Sequence, residues 1–295
     1  MNKSLITDIS LLSSIAGDRE NWIKLFSEGI FSKPENRKIT IEDNSIPGLK
    51  ENIKSPLKKR MSQLSLGIFQ ALQNGGAANI TANDEIYLFT GFGEIDTTDK
   101  IINSIIIDND QLVSPTWFHN SVHNTPLGYF TIINKLHNYC TTISDGLDTG
   151  NSFIDFINKR TMIDSPFIIA AGEEASGFYK LDATCDLEII PGFCSYKIIP
   201  GESRGFIYKG AVNRDEELIK ICEKVQADNI FSDLDSFYKL KDHGISNIQT
   251  DYPVSGNNPC SIISRLALPF LLELEGISLV IENDNNQYHI FEVEV

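Results

Sequence analysis

A predicted strand that turns sharply into a helix, LHNYCTTISDGLDTGNSFIDFI at 136–157, is the stretch best placed to do chemistry. A turn of this kind can present a nucleophile beside the amides of a helix N-terminus, which stabilise a developing anion. Here the turn carries Asp145 and Gly146, and the nearby Ser144 does not lie in a GxSxG motif. The sequence therefore predicts the backbone of a nucleophile elbow, but it does not predict a serine hydrolase.

Other candidate motifs form no complete site. His119 and His123 are spaced i, i+4, as two metal ligands on one helix face would be, but a third ligand is not evident. The stretch TGFG at 90–93 follows a predicted strand and lacks a GxGxxG pattern, so we interpret it as a tight turn and not as a phosphate loop. We predict no metal site and no cofactor.

Two acidic residues and one cysteine leave alternatives open. Glu173 and Glu174 are neighbours at the end of a predicted strand, so their side chains point apart. We expect them to be solvated or to accept hydrogen bonds from nearby backbone amides. Among five cysteines without a CxxC pair, Cys260 begins a predicted helix whose N-terminus could favour its thiolate.

Composition and charge exclude several classes of function. The 295 residues include 40 acidic and 25 basic side chains, and the formal net charge of −15 repels the phosphates of nucleic acids. Apolar residues make up 41% of the chain, which is enough for a large buried core. There is no signal-like apolar segment at the start and no run of about 18 apolar residues. We therefore expect a soluble, cytoplasmic protein that binds neither nucleic acid nor a membrane.

Strand and helix patterns alternate along most of the chain. SPFIIAAGEE at 165–174 is a short apolar run typical of a strand buried on both faces, and helical spacing predicts a helix over roughly Pro56–Gln73. ISLVIEND and QYHIFEVEV predict a closing hairpin. This alternation predicts a layered α/β architecture with mostly covered sheets, and no repeat of 20 to 50 residues is evident.

Taken in order, these segments resemble a β-ketoacyl synthase of the thiolase fold over nearly the whole chain. ITDISLLSSIAGDRENWIKLFSEG resembles the family's opening strand, loop and helix, and RMSQLSLGIFQAL resembles its helix with an Arg-Met start. SPTWFHNSVHNTPLGYFTI is similar to synthase-like proteins associated with aryl polyene and flexirubin-type pigments. The resemblance implies a thiolase-like layered α/β/α/β/α fold, with an N-terminal half at 1–178 and a shortened C-terminal half at 179–295 in one compact unit.

All three catalytic positions of a synthase are altered in this resemblance. FIIAAGEEA resembles the synthase strand that ends in Ala-Gly-Gly, and counting back from Gly172 puts the nucleophilic cysteine on Gly146, or on Asp145 after a shift of one residue. The first histidine falls in NIFSDLDSFYKL, which has none, and the second falls on Asn257. An inert residue at the nucleophile position is typical of chain length factors, the inactive partners of type II polyketide synthases.

The resemblance therefore implies a chain length factor that forms a heterodimer with an active ketosynthase and shapes its acyl tunnel. We expect an acidic acyl carrier protein to dock mainly on the partner, because this chain is itself acidic. Two alternatives stay open, a divergent acyltransferase or hydrolase that uses Cys260 or Asp145, and a homodimeric protein that binds acyl chains. The residues expected to line the tunnel or the interface are Phe118, His123, Asn124, Thr125, Leu127, Tyr129 and Phe130.

Overall fold

The computed structural model describes residues 3–13, 16–34, 46, 49, 53–106, 113–174, 189–251, 258–284 and 287–295. The first five strands are β1 (Lys3–Ser13), β2 (Glu85–Phe89), β3 (Cys140–Ile143), β4 (Phe167–Glu173) and β5 (Gly192–Glu202). They form half of a ten-stranded sheet in the order β3-β2-β4-β5-β1. β2 is parallel to β3 and β4, whereas β5 is antiparallel to β4 and β1.

The last five strands repeat this arrangement. They are β6 (Gly205–Val212), β7 (Asn229–Ser232), β8 (Ile248–Thr250), β9 (Ile277–Asp284) and β10 (Gln287–Glu294). Their order is β8-β7-β9-β10-β6, with β7 parallel to β8 and β9, and β10 antiparallel to β9 and β6. The chain therefore contains two halves of the same topology, which meet where β1 pairs with β6.

Helices connect the strands in both halves. The first half contains α1 (Arg19–Ser27), α2 (Gln63–Asn74), α3 (Ile95–Ile106), α4 (Pro115–Asn120), α5 (Thr125–Asn134) and α6 (Thr149–Arg160). The second half contains α7 (Asp215–Val225), α8 (Leu234–Asp242) and α9 (Ser261–Leu271). None of the helices in the described ranges is long and apolar enough to cross a membrane.

Three buried apolar clusters pack the helices against the two halves of the sheet. β4 divides two of them: Ile168 and Ala170 face an outer cluster with α2 and α5, whereas Phe167 and Ile169 face a central cluster with α6 and α9. A third cluster packs α7 and α8 against the second half of the sheet. The alternation arises because successive strand residues point to opposite faces. The thiolase-like layered α/β/α/β/α fold implied by the sequence is confirmed, with the second half the shorter one.

β5 lies after the predicted boundary at 178 and 179 and pairs with β4 and β1 of the first five strands. β5 ends at Glu202 and β6 begins at Gly205. Because β5 pairs with β4 and β1, it belongs to the first half. β5 is not among the predicted strands, because its stretch GFCSYKIIPGE contains glycine and proline, which weaken a strand pattern.

Most predicted elements are present, and one is divided. The helix expected over Pro56–Gln73 is a 3-10 helix at Pro56–Arg60 followed by α2. The break occurs because Ser62 caps α2, its hydroxyl oxygen accepting a hydrogen bond from the Ser65 amide at 2.9 Å. The closing hairpin is formed by β9 and β10 as predicted.

Candidate functional site

The elbow lies between β3 and α6. Ile143 ends β3, a short 3-10 turn covers Gly146–Asp148, and α6 begins at Thr149. Gly146 has a φ of +57°, in the left-handed region where a side chain costs about 1–2 kcal/mol. A Cβ on Gly146 would meet no atom within 4 Å. The glycine is therefore explained by its backbone conformation and not by a lack of space.

The amides of the elbow are already engaged within the chain. The Gly146 amide donates to the Gly91 carbonyl at 3.0 Å, and the Ser144 hydroxyl donates to the same oxygen at 2.8 Å. The Asp145 amide donates to Thr149 Oγ1 at 3.1 Å. An oxyanion hole needs amides that point at the reacting oxygen. These two amides point at protein acceptors instead.

Asp145, the other possible nucleophile position, is a surface carboxylate. It is exposed, and its Oδ2 accepts a hydrogen bond from the Ser152 hydroxyl at 2.6 Å. Within the described ranges, Ser152 is the one side chain bonded to this carboxylate. A hydrogen bond to the charged form stabilises it and lowers its nucleophilicity.

Glu173 lies beneath the elbow and is fully buried. Its carboxylate accepts hydrogen bonds from the Thr90 hydroxyl at 3.0 Å, from the Gly91 amide, and from the Phe92 amide at 3.4 Å. Burial raises its pKa to about 7, although these hydrogen bonds lower it in part. Of the two alternatives for this residue, bonding to backbone amides is confirmed and solvation is wrong.

The Cys260 thiol is buried beside Glu173. Its Sγ lies 3.5 Å from the Phe89 carbonyl and 3.8 Å from Glu173 Oε1. Burial and the neighbouring carboxyl raise its pKa well above the usual value for a thiol. A helix N-terminus could favour a thiolate, but desolvation opposes the charged form at this buried position.

A pocket of about 520 Å³ opens where the N-terminal ends of α6, α8 and α9 approach the end of β9. It brings together three segments that the sequence resemblance places around a synthase active site. Asn257, the position of the second histidine, lies outside the described residues. As far as it is described, the lining contains no histidine, cysteine or lysine: Leu147, Asp148, Gly150, Asn151, Asp233, Leu234, Asp235, Asn258, Pro259, Ser261, Arg265, Glu282, Asn283 and Asp284.

Arg265 is the one cation among these lining residues, and its guanidinium is engaged in ion pairs within the chain. The guanidinium is buried and donates to Asp251 Oδ1 at 2.7 Å and to the Glu282 carboxylate. Its Nη1 also donates to the Ile281 carbonyl at 3.2 Å. Burial raises the pKa of Glu282, and the charge of Arg265 offsets part of that rise. The triad joins α9 to the ends of β8 and β9 and leaves the pocket acidic.

A second acidic cluster lies on the outer side of β4, at the N-terminus of α2. Glu174 Oε2 accepts a hydrogen bond from the Leu64 amide at 2.9 Å, while its buried Oε1 has no partner among the described residues. Glu94 accepts from the Ser62 and Ser65 hydroxyls at 2.7 and 2.9 Å. Burial raises the pKa of Glu94 to about 7, and burial together with the Glu94 charge raises that of Glu174 to about 8. The expectation that Glu174 is solvated is therefore also wrong.

Three of the predicted tunnel and interface residues lie at the surface. Phe118 on α4 is 72% exposed, and His123 and Asn124 are exposed in the turn before α5. α4 ends before His123, so this residue and His119 do not share a helix face. His123 packs on Gly93, where an added Cβ would come within 1.7 Å of the imidazole. The TGFG turn and the segment of His123 are thereby brought together.

The other four predicted tunnel residues are buried inside this chain. Thr125 is 4% exposed, and Leu127, Tyr129 and Phe130 belong to the outer cluster formed with α2. The Phe130 ring packs edge-on against Phe69, with the ring centroids 5.6 Å apart. This packing accounts for their burial, and their role in a tunnel stays a prediction.

Arg265 and Glu94 are two buried charged residues of these sites that were not among the residues predicted from the sequence. Arg265 stands alone among apolar residues in SIISRLALPFL, and a single arginine on such a helix requires a buried acidic partner. That pattern was a usable signal. Glu94 follows the TGFG turn directly, but nothing in the sequence indicates that α2 covers it.

Known proteins resemble this chain in part of its sequence and in its fold. Residues 32–154 match the family model described as the N-terminal domain of β-ketoacyl synthases. No curated protein matches the chain.

Solved ketosynthase structures share the fold over almost the entire chain. The ketosynthase (ApeO) in complex with its chain length factor (ApeC) from Xenorhabdus doucetiae matches at 16% identity and a TM-score of 0.60, covering 98% of each chain. The ishigamide ketosynthase/chain length factor matches at 13% identity and a TM-score of 0.66, covering 99% of this chain and 100% of that one. A β-ketoacyl synthase from Burkholderia phymatum STM815 matches at 9% identity and a TM-score of 0.64, covering 100% of both chains. The fold implied by the resemblance is thus confirmed: the chain has the thiolase-like α/β fold of ketosynthases, and its residues 32–154 are similar to the N-terminal domain of β-ketoacyl synthases.

Proposed function

We propose that the protein is a catalytically inactive chain length factor that pairs with an active β-ketoacyl-ACP synthase in type II polyketide, aryl polyene-like biosynthesis. One observation supports the proposal: Gly146, where the resemblance puts the nucleophile unless the register shifts to Asp145, has no side chain, and its amide donates to the Gly91 carbonyl. Gly146 therefore offers neither a side chain that can be acylated nor a free amide. The described pocket lining also lacks a histidine that could activate an extender unit.

The edge strand β3 supports the pairing part of the proposal. Among the described strands, β3 pairs with β2 alone, so its other side presents unpaired backbone groups. The opposite edge, β8, is contacted by the 3-10 helix Ile30–Ser32. An open edge on one side and a covered edge on the other favour association through β3.

Exposed apolar side chains flank both ends of this edge. Tyr139 precedes β3 and is 62% exposed, and Met162 follows α6 and is 78% exposed. Leu147, in the elbow at the other end of β3, is also largely exposed, as is Phe118 on α4. Such a grouping is typical of a surface that a partner covers. Phe118, His123 and Asn124 are therefore the candidates to reach the partner's acyl tunnel.

The rival functions make different demands on the same residues. An acyltransferase or hydrolase would need Cys260 or Asp145 to react, but the first is buried with a raised pKa and the second is a hydrogen-bonded carboxylate. A homodimeric acyl-binding protein would use the same open edge. No observation on the described residues favours either rival over the paired, inactive subunit.

Co-expression with a ketosynthase of the same pathway tests the proposal. Size-exclusion chromatography with mass determination should give a one-to-one heterodimer. Incubation with an acyl-carrier thioester should then add acyl mass to the ketosynthase and not to this chain. The proposal would be contradicted if this chain formed a stable homodimer that did not bind the ketosynthase. Acylation of this chain that is lost in Cys260→Ala would also contradict it.

A further inference from the structure

Glu173 holds the elbow through an intermediate peptide. Its carboxylate accepts the Gly91 amide, and the Gly91 carbonyl accepts the Gly146 amide at 3.0 Å and the Ser144 hydroxyl at 2.8 Å. One peptide segment therefore bonds to the buried carboxyl on one side and to the elbow on the other. The elbow has no direct bond to Glu173, so the relay through Gly91 is what connects them.

The packing around Gly91 leaves this segment little room to move. A Cβ at Gly91 would lie 2.6 Å from the Gly146 carbonyl oxygen and 2.6 Å from Pro259 Cγ. Contacts this short are almost never seen for a real Cβ, so the Gly91 backbone lies directly against the Gly146 carbonyl and the Pro259 ring. In a close-packed contact of this kind, a change in the hydrogen bonds between Glu173 and the Gly91 segment is transmitted to the elbow.

The groups that face Glu173 do not neutralise it. In the loop after β2, the Thr90 hydroxyl and two backbone amides donate hydrogen bonds to the Glu173 carboxylate. The Cys260 thiol, just before α9, faces the same carboxylate. Cys194 of β5 lies near Cys260 and is also a buried thiol with a raised pKa. Glu174 and Glu94 are bonded to α2. Within the described ranges, none of the recorded partners of Glu173 is a cation.

We infer that Glu173 is the positioning residue of the elbow, and that gain or loss of its proton changes how firmly the Gly91 segment is held. A carboxylate accepts the Gly91, Phe92 and Thr90 donors as charge-assisted hydrogen bonds, which are stronger than bonds to a neutral acid. A carboxylic acid loses one acceptor site to its own proton. For a local opening that frees the Gly91 segment and leaves Glu173 buried, the elbow is therefore held more firmly above neutral pH and less firmly below it. Burial brings the pKa of Glu173 to about 7, so the change occurs within the physiological range.

Amide hydrogen exchange at Gly146 tests this inference without any partner protein. After correction for the intrinsic effect of pH on exchange, protection of the Gly146 amide in the native chain should rise several-fold between pH 6 and pH 8. Glu173→Gln keeps an oxygen that accepts a hydrogen bond from the Gly91 amide, but its side chain cannot ionise. In this variant, protection of the Gly146 amide should not change with pH. Glu174→Gln, at the neighbouring position with different partners, is the matched control and should keep the native rise.

Carboxyl NMR of the native chain gives a second readout that needs no variant. The Glu173 carboxyl and the Gly91 and Gly146 amides should titrate with one shared midpoint. The inference is overturned if the Gly146 amide does not follow the Glu173 midpoint, or if Glu173→Gln retains the pH-dependent protection. Should Glu173→Gln fail to fold, the native titration decides alone.

Discussion

At the scale of single residues, the elbow combines a sharp turn at Gly146 with an amide that is already hydrogen-bonded. Gly146 adopts a left-handed conformation that glycine accommodates at no steric cost, and its amide is bonded to the Gly91 carbonyl. Placing a cysteine at 146 would restore a thiol but not a free amide, and it would add backbone strain. The inactivity that we propose therefore rests on the hydrogen bonds of the turn as well as on the missing side chain.

Cys260 should be unreactive in the folded protein. Its thiol is buried and its pKa is raised, so very little thiolate is present at neutral pH. Cys140 on the edge strand is only partly buried and provides the internal comparison. In iodoacetamide labelling followed by peptide mass spectrometry, Cys140 should be modified at least ten times faster than Cys260. Rapid labelling of Cys260 in the native state would reopen the acyltransferase alternative.

The buried carboxyls Glu94 and Glu174 should make stability fall as pH rises. Their folded pKa values are about 7 and about 8, above the ordinary 4.5, so the native state binds more protons than the unfolded state between those limits. Their stabilisation is complete below about pH 4.5 and is lost as pH rises through 7 to 8, at a cost on the order of 1–3 kcal/mol per group.

Urea unfolding at pH 5, 6, 7 and 8 measures this dependence. Glu174→Gln keeps the acceptor for the Leu64 amide but cannot ionise, so its stability should fall less over the same range. Glu275→Gln, which changes an exposed carboxyl after α9, is the control and should follow the native curve. An unchanged slope in Glu174→Gln would show that Glu174 does not titrate in this window.

At the scale of elements, the edge strand β3 should be essential for pairing and dispensable for folding at its outward positions. The Tyr139 and Ile143 carbonyls accept hydrogen bonds from β2, and in a parallel ladder alternate residues bond to the same neighbour. The Thr142 backbone therefore faces outward, whereas that of Thr141 faces β2.

Proline substitutions separate these two roles. Thr142→Pro should abolish the heterodimer in size-exclusion chromatography and lower the melting temperature only slightly, because proline is tolerated at an outward edge position. Thr141→Pro should destabilise the fold itself, since it removes a ladder hydrogen bond. Retention of the heterodimer by a folded Thr142→Pro protein would place the interface elsewhere.

The ion pairs of Arg265 should be important for stability, although they perform no chemistry. Arg265→Met leaves Asp251 and Glu282 without their cation, and breaking a buried pair in this way costs about 3–5 kcal/mol. Arg214→Met removes an exposed pair with Glu217 and should cost about 0–1 kcal/mol. Urea unfolding of both variants gives the comparison, and equal effects would mean that the buried triad is not needed.

Elements with a strong apolar pattern could be predicted from the sequence, whereas those defined by tertiary contacts could not. β4 is predicted from its continuous apolar run. β5 was missed because its central position follows only from pairing with β4 and β1. The elbow could be located by its strand-to-helix pattern, but its bond to Gly91 and the role of Glu173 depend on contacts between residues far apart in sequence.

At the scale of the whole molecule, two halves share one topology without a visible sequence repeat. Strand order and direction are the same in both, so the repeat is preserved in strand pairing and not in residue identity. The pocket forms where α6 of the first half and α9 of the second half meet. Pocket and elbow therefore depend on the contact between the halves, and neither half contains the complete site.

The net charge of −15 should make the isolated chain a poor partner for an acidic carrier protein. Like-charged surfaces repel, and the effect weakens as salt screens it. Titration of a carrier protein into the isolated chain should give no saturable binding at micromolar concentrations, while the heterodimer should bind. Tight binding by the isolated chain would show that it carries its own docking surface.

Chain elongation in a reconstituted system tests the central claim most directly. The ketosynthase alone, this chain alone and the two together would be supplied with acyl and extender thioesters on the carrier protein, and the products would be measured by mass spectrometry. We predict full-length product only from the pair. That activity should be lost when the ketosynthase nucleophile is replaced, and it should survive Asp145→Asn and Cys260→Ala in this chain. Elongation by this chain alone, or equal activity of the ketosynthase without it, would contradict the account.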